Sequence, residues 1–330
     1  MQYQVKTLET TKEIKACQSL LELHDLSFEQ HVTHTIGIFD GDLLIGTGSL
    51  DHDVIKMIAV DPSYQGENLT ALIMTHLVLK LSQDNIYKFF LYTKPENQLF
   101  FKDFGLSMVA KTEDIILFEN NIYTLKERLA DIKATLPAAS NFGAIVMNCN
   151  PVTLGHQYLI ETAAKKHPYL LIFLVEEDLS VFPFDIRRKL LEKAISHISN
   201  VIIILSTPYI ISKTTFPTYF TKSATESSRI HMVLDAMIFK MQFMPSLDIS
   251  MRYVGTEPTD DTTLKYNESL KKVLGNQLTI IERKMHQSNY ISASHVRKLA
   301  QQKDFEHLKN IVPKATYQFL KSKKGQRLFL

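Results

Sequence analysis

The sequence predicts an α/β protein of two domains, a mixed α/β domain followed by a domain with a parallel sheet. In the first part of the chain, an Asp40-Gly41 hairpin signal joins two apolar runs. Later in the chain, apolar runs without polar alternation are separated by segments of helical spacing, which is typical of a parallel sheet covered on both faces. Because Pro137 and several small residues separate the two patterns, we place the domains at 1–137 and 138–330.

The first domain is predicted to alternate helices with strands. Apolar residues at helical spacing predict its two main helices, and the Asp61-Pro62 turn separates a strand from the second of them. The predicted elements are a helix over 11–23, two strands within 34–50, a strand over 53–61, a helix over 69–83, a strand over 87–93, a short helix over 96–105, strands within 107–119 and a helix over 122–136.

The second domain is predicted to alternate more regularly, with a helix between successive strands. The predicted strands cover 143–148, 169–177, 200–206, 248–255 and 277–283, and the predicted helices cover 154–166, 183–197, 229–242, 267–275 and the segment from 292 onward. Ligands of such sheets bind at the carboxyl ends of the strands, where the strand order reverses. We therefore expect the functional residues in the loops that follow these strands.

Glycine is scarce. The chain has 11 glycines in 330 residues, or about 3 per cent, whereas glycine makes up about 7 per cent of average proteins. A P-loop is excluded because no glycine is followed by lysine. The dinucleotide fingerprint is excluded because the pair Gly46 and Gly48 meets Asp51 where the third glycine belongs. If the chain binds a nucleotide, it therefore does so without either of these glycine-rich motifs.

Charge and cysteine content narrow the function classes further. Lys and Arg number 37 against 35 Asp and Glu, so no large basic field indicates a nucleic-acid or membrane partner. Two cysteines cannot build a disulfide framework or a four-cysteine zinc site. The N-terminus lacks a signal-peptide core, and no apolar run reaches the length of about 20 residues that a membrane span needs. We expect a cytoplasmic protein.

The loop after the first strand of the second domain carries the first candidate site. Asn148 and Asn150 precede a helix that begins near Thr153, Gly155 and His156. The first turn of a helix has unpaired amides and a positive dipole, which suit phosphate. The alternative is that His156 only caps the helix or faces solvent.

The last strand is followed by the second candidate site. Ser292, Ser294 and Arg297 begin a helix, and Arg297 lies three residues past Ser294 on the same face. Hydroxyl and guanidinium groups can therefore bind one anion together. The alternative for either serine is a helix N-cap. The two helix starts could converge on one triphosphate.

These segments carry a family resemblance. T-L-G-H at 153–156 resembles the T/H-x-G-H motif of the nucleotidyltransferase superfamily, and ISASHVR at 291–297 resembles its I-S-S/A-S/T-x-x-R motif. Together with FPFDIRR, YIISKTTFPTYF and YVGTEPTDDTTLKYNESL, they resemble the citrate lyase ligase family over nearly all of residues 142–325. The resemblance implies a Rossmann-like nucleotidyltransferase domain after an acetyltransferase-like one.

The resemblance also implies an activity. Acetate attacks the α-phosphate of ATP, giving acetyl-adenylate and pyrophosphate, and a thiol then takes the acetyl group and releases AMP. The acceptor is the dephospho-CoA-type prosthetic group on the acyl-carrier subunit of citrate lyase. The implied catalytic residues are His156, at the α- and β-phosphates, and Arg297. Thr153 would contact phosphate, Ser294 would join Arg297 at the β- and γ-phosphates, and magnesium would bridge the triphosphate through water and phosphate oxygens.

Further residues are assigned by position within the resembling segments. Asn148, Asn150, Gly155 and Ser292 are expected to line the nucleotide site. Gly255 and Glu257 follow the fourth strand and are expected to border adenine or ribose, with a strand-terminating turn as the alternative. Lys213 is a candidate phosphate or acetate contact, with an exposed loop lysine as the alternative.

Other residues near these segments are interpreted as structural. Asp185 and Arg187, at a helix start, are interpreted as capping and surface charges. Cys149 adjoins a strand and has no evident base partner, so we interpret it as a packing residue.

The first domain resembles the GNAT acetyltransferases, whose acyl-CoA loop reads Q/R-x-x-G-x-G/A. Gln65 fits this motif, but Asn68 and Thr70 stand at two of its small-residue positions. Side chains there would crowd the phosphates. We expect a degenerate GNAT-like domain. The alternative functions for the chain are a cofactor-pathway adenylyltransferase, or an acetyl-CoA-dependent acetyltransferase that works through this domain.

Overall fold

The structure, a computed structural model, describes residues 3–176, 180–205, 207–210, 226–258, 260–287 and 289–329. The chain divides into two compact units, Met1–Thr124 and Leu125–Leu330. The sequence-based boundary lies after residue 137, so the helix before that boundary falls in the second unit. The assignment of a function to each unit stays a prediction.

The first unit is built on a seven-stranded mixed sheet in the order β1-β2-β3-β4-β5-β7-β6. Its elements are β1 (Gln4–Thr7), α1 (Thr11–Glu22), β2 (His34–Asp40), β3 (Leu43–Asp51), β4 (Val54–Val60), α2 (Leu69–Gln83), β5 (Phe90–Thr93), α3 (Gln98–Asp103), β6 (Ser107–Lys111) and β7 (Ile116–Glu119). β4 and β5 pair in parallel, and the other neighbours are antiparallel.

Helices cover both faces of this sheet. α1 begins with a capping box, in which the Thr10 hydroxyl accepts a hydrogen bond from the Glu13 N–H and the Glu13 carboxylate accepts one from the Thr10 N–H. Cys17 and Leu21 of α1 are buried in one apolar cluster, and Ile73 of α2 is buried in another. Apolar burial on each face therefore holds the sheet between the helices.

The loop before α2 adopts positive φ angles at two residues. Gly66 has φ +93° and Asn68 has φ +57°. Asparagine is among the residues that tolerate the left-handed region best, so Asn68 takes that backbone conformation where the resembling motif has glycine. Its side chain makes no cap hydrogen bond to α2.

The second unit is built on a five-stranded parallel sheet in the order β10-β9-β8-β11-β12. Its helices and strands are α4 (Leu125–Thr135), β8 (Phe142–Met147), α5 (Leu154–Ala164), β9 (Leu170–Leu174), α6 (Phe184–Ala194), β10 (Val201–Leu205), α7 (Glu226–Ile238), α8 (Met244–Ser246), β11 (Ile249–Gly255), α9 (Asp261–Leu274), β12 (Leu278–Ile281), β13 (Met285–His286), β14 (Asn289–Tyr290), α10 (Ala293–Gln301), α11 (Phe305–Leu308), α12 (Lys314–Lys321) and α13 (Lys323–Gln326). A π-helical turn, Phe239–Phe243, separates α7 from α8.

The strand order reverses between β8 and β11. From β8 the chain proceeds outward to β9 and β10, and it returns to the other side of β8 with β11 and β12. On one face, α5, α6, α10 and α12 contribute to one apolar cluster with Ile145 and Tyr253 of the sheet. The carboxyl ends of β8 and β11 therefore lie side by side at the point where a ligand crevice is expected.

The predicted fold class is confirmed, with local differences. β1 was not predicted, because its sequence is mostly polar and exposed. In the structure this strand forms by pairing with its neighbour β2. The segment 285–290, between the last predicted strand and the helices predicted from 292 onward, forms the short antiparallel pair of β13 and β14. α9 starts earlier than predicted, since the Asp260 carboxylate caps it by accepting a hydrogen bond from the Thr263 N–H.

Candidate active site

α5 begins with a reciprocal cap made by Thr153 and His156. The Thr153 hydroxyl accepts a hydrogen bond from the His156 N–H at 3.2 Å, and the His156 Nδ1 accepts one from the Thr153 N–H at 3.1 Å. This is a capping box with histidine in the position where glutamate or glutamine is usual. A ring nitrogen that accepts a backbone N–H carries no proton, so the neutral ring is protonated at Nε2. His156 is therefore a fixed Nε2–H donor, and the capping alternative and the donor role are compatible.

Burial keeps the His156 ring neutral. Burial, followed by the positive charge of Arg283, lowers the pKa of His156 from 6.5 to about 4. A neutral donor can stabilise charge that develops on a phosphate oxygen without itself changing protonation at neutral pH. The Arg283 charge therefore acts on the ring in the same direction as its burial.

We expect the lowered pKa to be measurable in the ligand-free protein. Histidine NMR signals assigned with a His156→Asn variant should show no titration of His156 between pH 5 and pH 8. Because the unfolded chain binds this proton at about pH 6.5 and the folded chain only at about pH 4, stability should fall as the pH drops through that window. The variant should lose that part of the pH dependence. A His156 midpoint near pH 6.5 would contradict the lowered pKa.

Gly155 lets the two predicted motifs approach each other. A Cβ at this position would lie 3.3 Å from the carbonyl oxygen of Ile291 and 3.7 Å from its Cβ. Ile291 immediately precedes the N-cap of α10, so the first turns of α5 and α10 are neighbours. Within the described residues, the Gly155 N–H has no acceptor, which leaves it available to an anion.

Arg297 joins the start of α10 to the loop after β8. Its Nη1 donates to the carbonyl oxygen of Asn150 at 2.5 Å, and its Nη2 donates to the Ser294 hydroxyl at 3.2 Å. Ser292 is the N-cap, and its hydroxyl accepts from the His295 N–H at 3.1 Å. The half-buried guanidinium therefore lies at the carboxyl end of β8, beside the first turn of α5. The two motifs, distant in sequence, share one corner of the unit.

An ion pair that the sequence did not suggest follows β11 and β12. Arg283 Nη1 lies 2.7 Å from the buried carboxylate of Glu257, and the Arg283 N–H donates to the Thr256 hydroxyl at 2.9 Å. The Asn267 amide donates to the carbonyl oxygen of Gly255 at 3.0 Å. Arg283 ends the predicted strand 277–283, and its place at the carboxyl end of a strand was the signal that could have identified it.

A cavity of about 470 Å³ opens beside this ion pair. Its walls come from α9, from the segment that follows β11, and from β12 and the segment that follows it. Thr256, Glu257, Asn267 and Arg283 supply polar groups, and Leu264 and Ile280 are among its apolar residues. A mostly apolar cavity with a few converging polar groups is typical of a small-molecule site.

The chain is similar to citrate lyase ligases over nearly its whole length. A family model described as the citrate lyase ligase C-terminal domain matches residues 142–320. A citrate (pro-3S)-lyase ligase from Klebsiella pneumoniae is 34% identical over 324 residues, covering 96% of this chain and 95% of that protein. The chain belongs to the citrate lyase ligase family.

A second ligase and a solved acetyltransferase structure also match the chain. A citrate (pro-3S)-lyase ligase from Escherichia coli (strain K12) is 33% identical over 327 residues, covering 96% of this chain and 93% of that protein. Among solved structures, the ribosomal-protein-S18-alanine N-acetyltransferase from Escherichia coli is 15% identical with a TM-score of 0.32, covering 37% of this chain and 100% of that one. As a member of the citrate lyase ligase family, the chain is an enzyme of the ligase class, which implies ATP use.

In this citrate lyase ligase family member, Arg187 is not a surface charge, and that prediction was wrong. The residue is 0% exposed. Its Nε donates to the Phe182 carbonyl at 2.9 Å, and its Nη1 donates to the Val175 carbonyl at 2.7 Å and to Asn148. Sequence position suggested a helix start, where charges are usually exposed, but the first turn of α6 points this side chain under the loops after β8 and β9.

Cys149 is buried, as its packing interpretation requires. It is 1% exposed, and burial raises the pKa of its thiol to about 12. A thiol that stays protonated at neutral pH is neither a nucleophile nor an alkylation target. We therefore expect a Cys149→Ala variant to keep its turnover within about threefold, at a cost in stability of about 1 kcal/mol for the lost contacts. Rapid iodoacetamide labelling of native Cys149 at pH 8 would contradict this, as would loss of turnover in a folded variant.

Lys213, the remaining predicted contact, lies outside the described residues. In the part of the chain that the structure describes, no cluster of three or more His, Cys, Asp and Glu side chains is arranged to hold a metal ion. Among the same residues, no helix is both long and apolar enough to cross a membrane.

Proposed function

We propose that this chain catalyses the ATP-dependent acetylation of the thiol prosthetic group on the acyl-carrier subunit of citrate lyase, with acetate as the acyl source. The observation that carries the proposal is the meeting of the α5 and α10 first turns, joined by the bond from Arg297 to Asn150. The relatives from Klebsiella pneumoniae and Escherichia coli are named for action on citrate lyase, which supports the choice of acceptor.

The first step needs positioning and charge neutralisation more than a base. A carboxylate oxygen of acetate attacks the α-phosphorus of ATP, and the bond from that phosphorus to the bridging oxygen of pyrophosphate breaks. Acetate is already a nucleophile, so no proton has to be removed. His156 donates from Nε2 to the α- and β-phosphate oxygens, while Ser294 and Arg297 bind the β- and γ-phosphates. These assignments suit the side chains, because the neutral His156 ring can donate a hydrogen bond from Nε2 and Arg297 is cationic.

Other groups complete the proposed nucleotide site. The Gly155 N–H and the side chains of Asn148 and Asn150 are placed beside the phosphates. The adenosine is placed at the cavity bordered by Glu257 and Arg283. A direct phosphate contact by Thr153 stays a prediction. The hydroxyl of this buried residue already caps α5 and holds His156.

Magnesium is proposed to arrive with the triphosphate. It would be held by phosphate oxygens and water, which is how this ion usually binds nucleotides. Its chemistry there would be to neutralise charge on the departing pyrophosphate.

In the second step, the thiolate of the prosthetic arm attacks the acetyl carbonyl carbon. The bond from that carbon to the adenylate oxygen breaks, and AMP leaves with the electron pair. The thiol proton is released to solvent. Acetate, ATP and thiol are thereby converted to thioester, AMP and pyrophosphate.

The test follows pyrophosphate release from ATP and magnesium with acetate, with and without deacetylated citrate lyase. We expect release that depends on acetate, together with AMP formation and recovery of lyase activity. Acetamide, which lacks the nucleophilic carboxylate, is the matched control and should give no release. ATP-independent transfer from acetyl-CoA would overturn the proposal. So would release that requires a phosphate acceptor instead of an acid, as in a cofactor-pathway adenylyltransferase.

A further inference from the structure

Arg187 and Asn148 form a buried hydrogen-bond network beside the proposed phosphate site. One nitrogen of the guanidinium, Nη1, donates to both the carbonyl oxygen and the Oδ1 of Asn148, each at 2.9 Å. The same nitrogen donates to Val175 after β9, and Nε donates to Phe182 before α6. One side chain therefore ties together the segments at the carboxyl ends of β8 and β9.

This network determines which way the Asn148 amide faces. Arginine can only donate hydrogen bonds, so the amide atom that it contacts must be the oxygen. The NH₂ group then faces away from Arg187. The Ser180 hydroxyl lies 3.1 Å from Nδ2 and 3.2 Å from Oδ1. Since the amide has two N–H groups and Ser180 can accept only one of them, at least one N–H of Asn148 has no acceptor within the described residues.

The available N–H lies where substrate is expected. Asn148 directly follows β8, on the side of the sheet where the strand order reverses, and it is half-buried. Two residues on, Asn150 bonds to Arg297 through its carbonyl oxygen and accepts the Phe182 N–H at its own Oδ1. The donor is thus held in a rigid corner that also contains the proposed phosphate contacts.

We propose that Arg187 is a positioning residue that holds the Asn148 amide as an N–H donor to an anionic oxygen of the substrate. That oxygen belongs either to the carboxylate of the acid or to the α-phosphate of the nucleotide, two groups that meet during the first step. A donor held in advance needs no reorganisation when charge develops. The inference rests on the proposed function for the identity of the reaction, and on the network for the direction of the donor.

The first test is an Asn148→Asp variant. Aspartate keeps an oxygen toward Arg187 and Ser180, and its charge strengthens the bond to the guanidinium, but it has no N–H to donate. We expect a thermal midpoint that is unchanged or raised, together with a fall in kcat/KM of about a hundredfold. Wild-type kcat/KM in this variant would overturn the proposal.

The second test asks whether Arg187 acts through Asn148. An Arg187→Lys variant keeps the charge but not the planar fork, and it should lower both the thermal midpoint and kcat/KM, the latter about tenfold. In an Asn148→Ala background the same change should still lower the midpoint, but it should leave kcat/KM where Asn148→Ala alone puts it. An equal fall in kcat/KM in both backgrounds would make Arg187 a purely structural residue and overturn the proposal.

Two binding measurements identify the anion. A weaker Kd of Asn148→Asp for a non-hydrolysable ATP analogue assigns the donor to phosphate, whereas an unchanged Kd with a raised KM for the acid assigns it to the carboxylate. No change in Kd, KM or kcat would overturn the donor role. Failure of the proposed function is distinguishable, because it appears in the wild-type protein as the absence of acid-dependent pyrophosphate release. The analogue Kd can be measured without that reaction.

Discussion

A His156→Asn variant should lose about a hundredfold in turnover while keeping its fold. In asparagine, Oδ1 occupies nearly the place of the histidine Nδ1, so it can still accept the Thr153 N–H that the cap requires. The side chain ends before the position of Nε2, so the donor to the phosphates is lost. Removal of one donor to a developing oxyanion typically costs a factor of about 10² to 10³ in turnover. The variant therefore separates the cap from the donor.

The measurement pairs turnover with thermal unfolding. Turnover is followed by acetate-dependent pyrophosphate release, and stability by the unfolding midpoint. A His156→Ala variant serves as comparison, since it removes both cap and donor and should also lose about 1 kcal/mol of stability. Near-normal turnover in His156→Asn would remove His156 from the proposed mechanism. Equal loss of stability in both variants would show that the asparagine cap had not formed.

Replacing Arg297 should produce the other large effect. An Arg297→Met variant keeps most of the apolar stem but loses the charge and the bonds to Asn150 and Ser294. We expect kcat/KM for ATP to fall about a hundredfold to a thousandfold, since a charged, partly buried donor to phosphate is lost. Arg297→Lys should fall between the two proteins, because an ammonium group retains the charge without the bidentate geometry.

The neighbouring lysine provides a matched control. Lys298→Met removes the same formal charge from an exposed residue of the same helix, and it should leave kcat/KM near the wild-type value. If Arg297→Met and Lys298→Met lowered kcat/KM equally, Arg297 would act only through the general positive charge of this helix and not through a specific phosphate contact. A Lys298→Met variant with normal activity beside an inactive, folded Arg297→Met variant would locate the phosphate contact at Arg297.

Local sequence was sufficient for much of the fold and part of the site. The alternation of apolar runs and helical segments predicted the parallel sheet of the second unit, because strands buried on both faces leave that pattern wherever they occur. The spacing of Thr153 and His156 is a capping spacing, and the structure has that cap. Ser294 and Arg297, three residues apart on a helix, are hydrogen-bonded as their spacing allows.

The sequence did not predict which side chains from distant segments would pair. The Glu257–Arg283 pair joins the ends of two strands that become neighbours only when β12 adds beside β11. Arg187 was interpreted as a surface charge because helix starts usually expose charged residues, yet three carbonyl groups from separate segments surround it. Burial of a charge depends on which partners the fold brings to it, and neighbours in sequence do not reveal them.

The sequence by itself determined the class of the two domains, the family and the two helix starts that carry the candidate chemistry. Each of these depends on residues close to one another along the chain, where period and spacing decide the outcome. Only the tertiary structure decided that the two helix starts form one site. The bond from Arg297 to Asn150 spans 147 residues. It forms because the chain returns to β8 with β11 and β12, and α10 then packs in the same apolar cluster as α5.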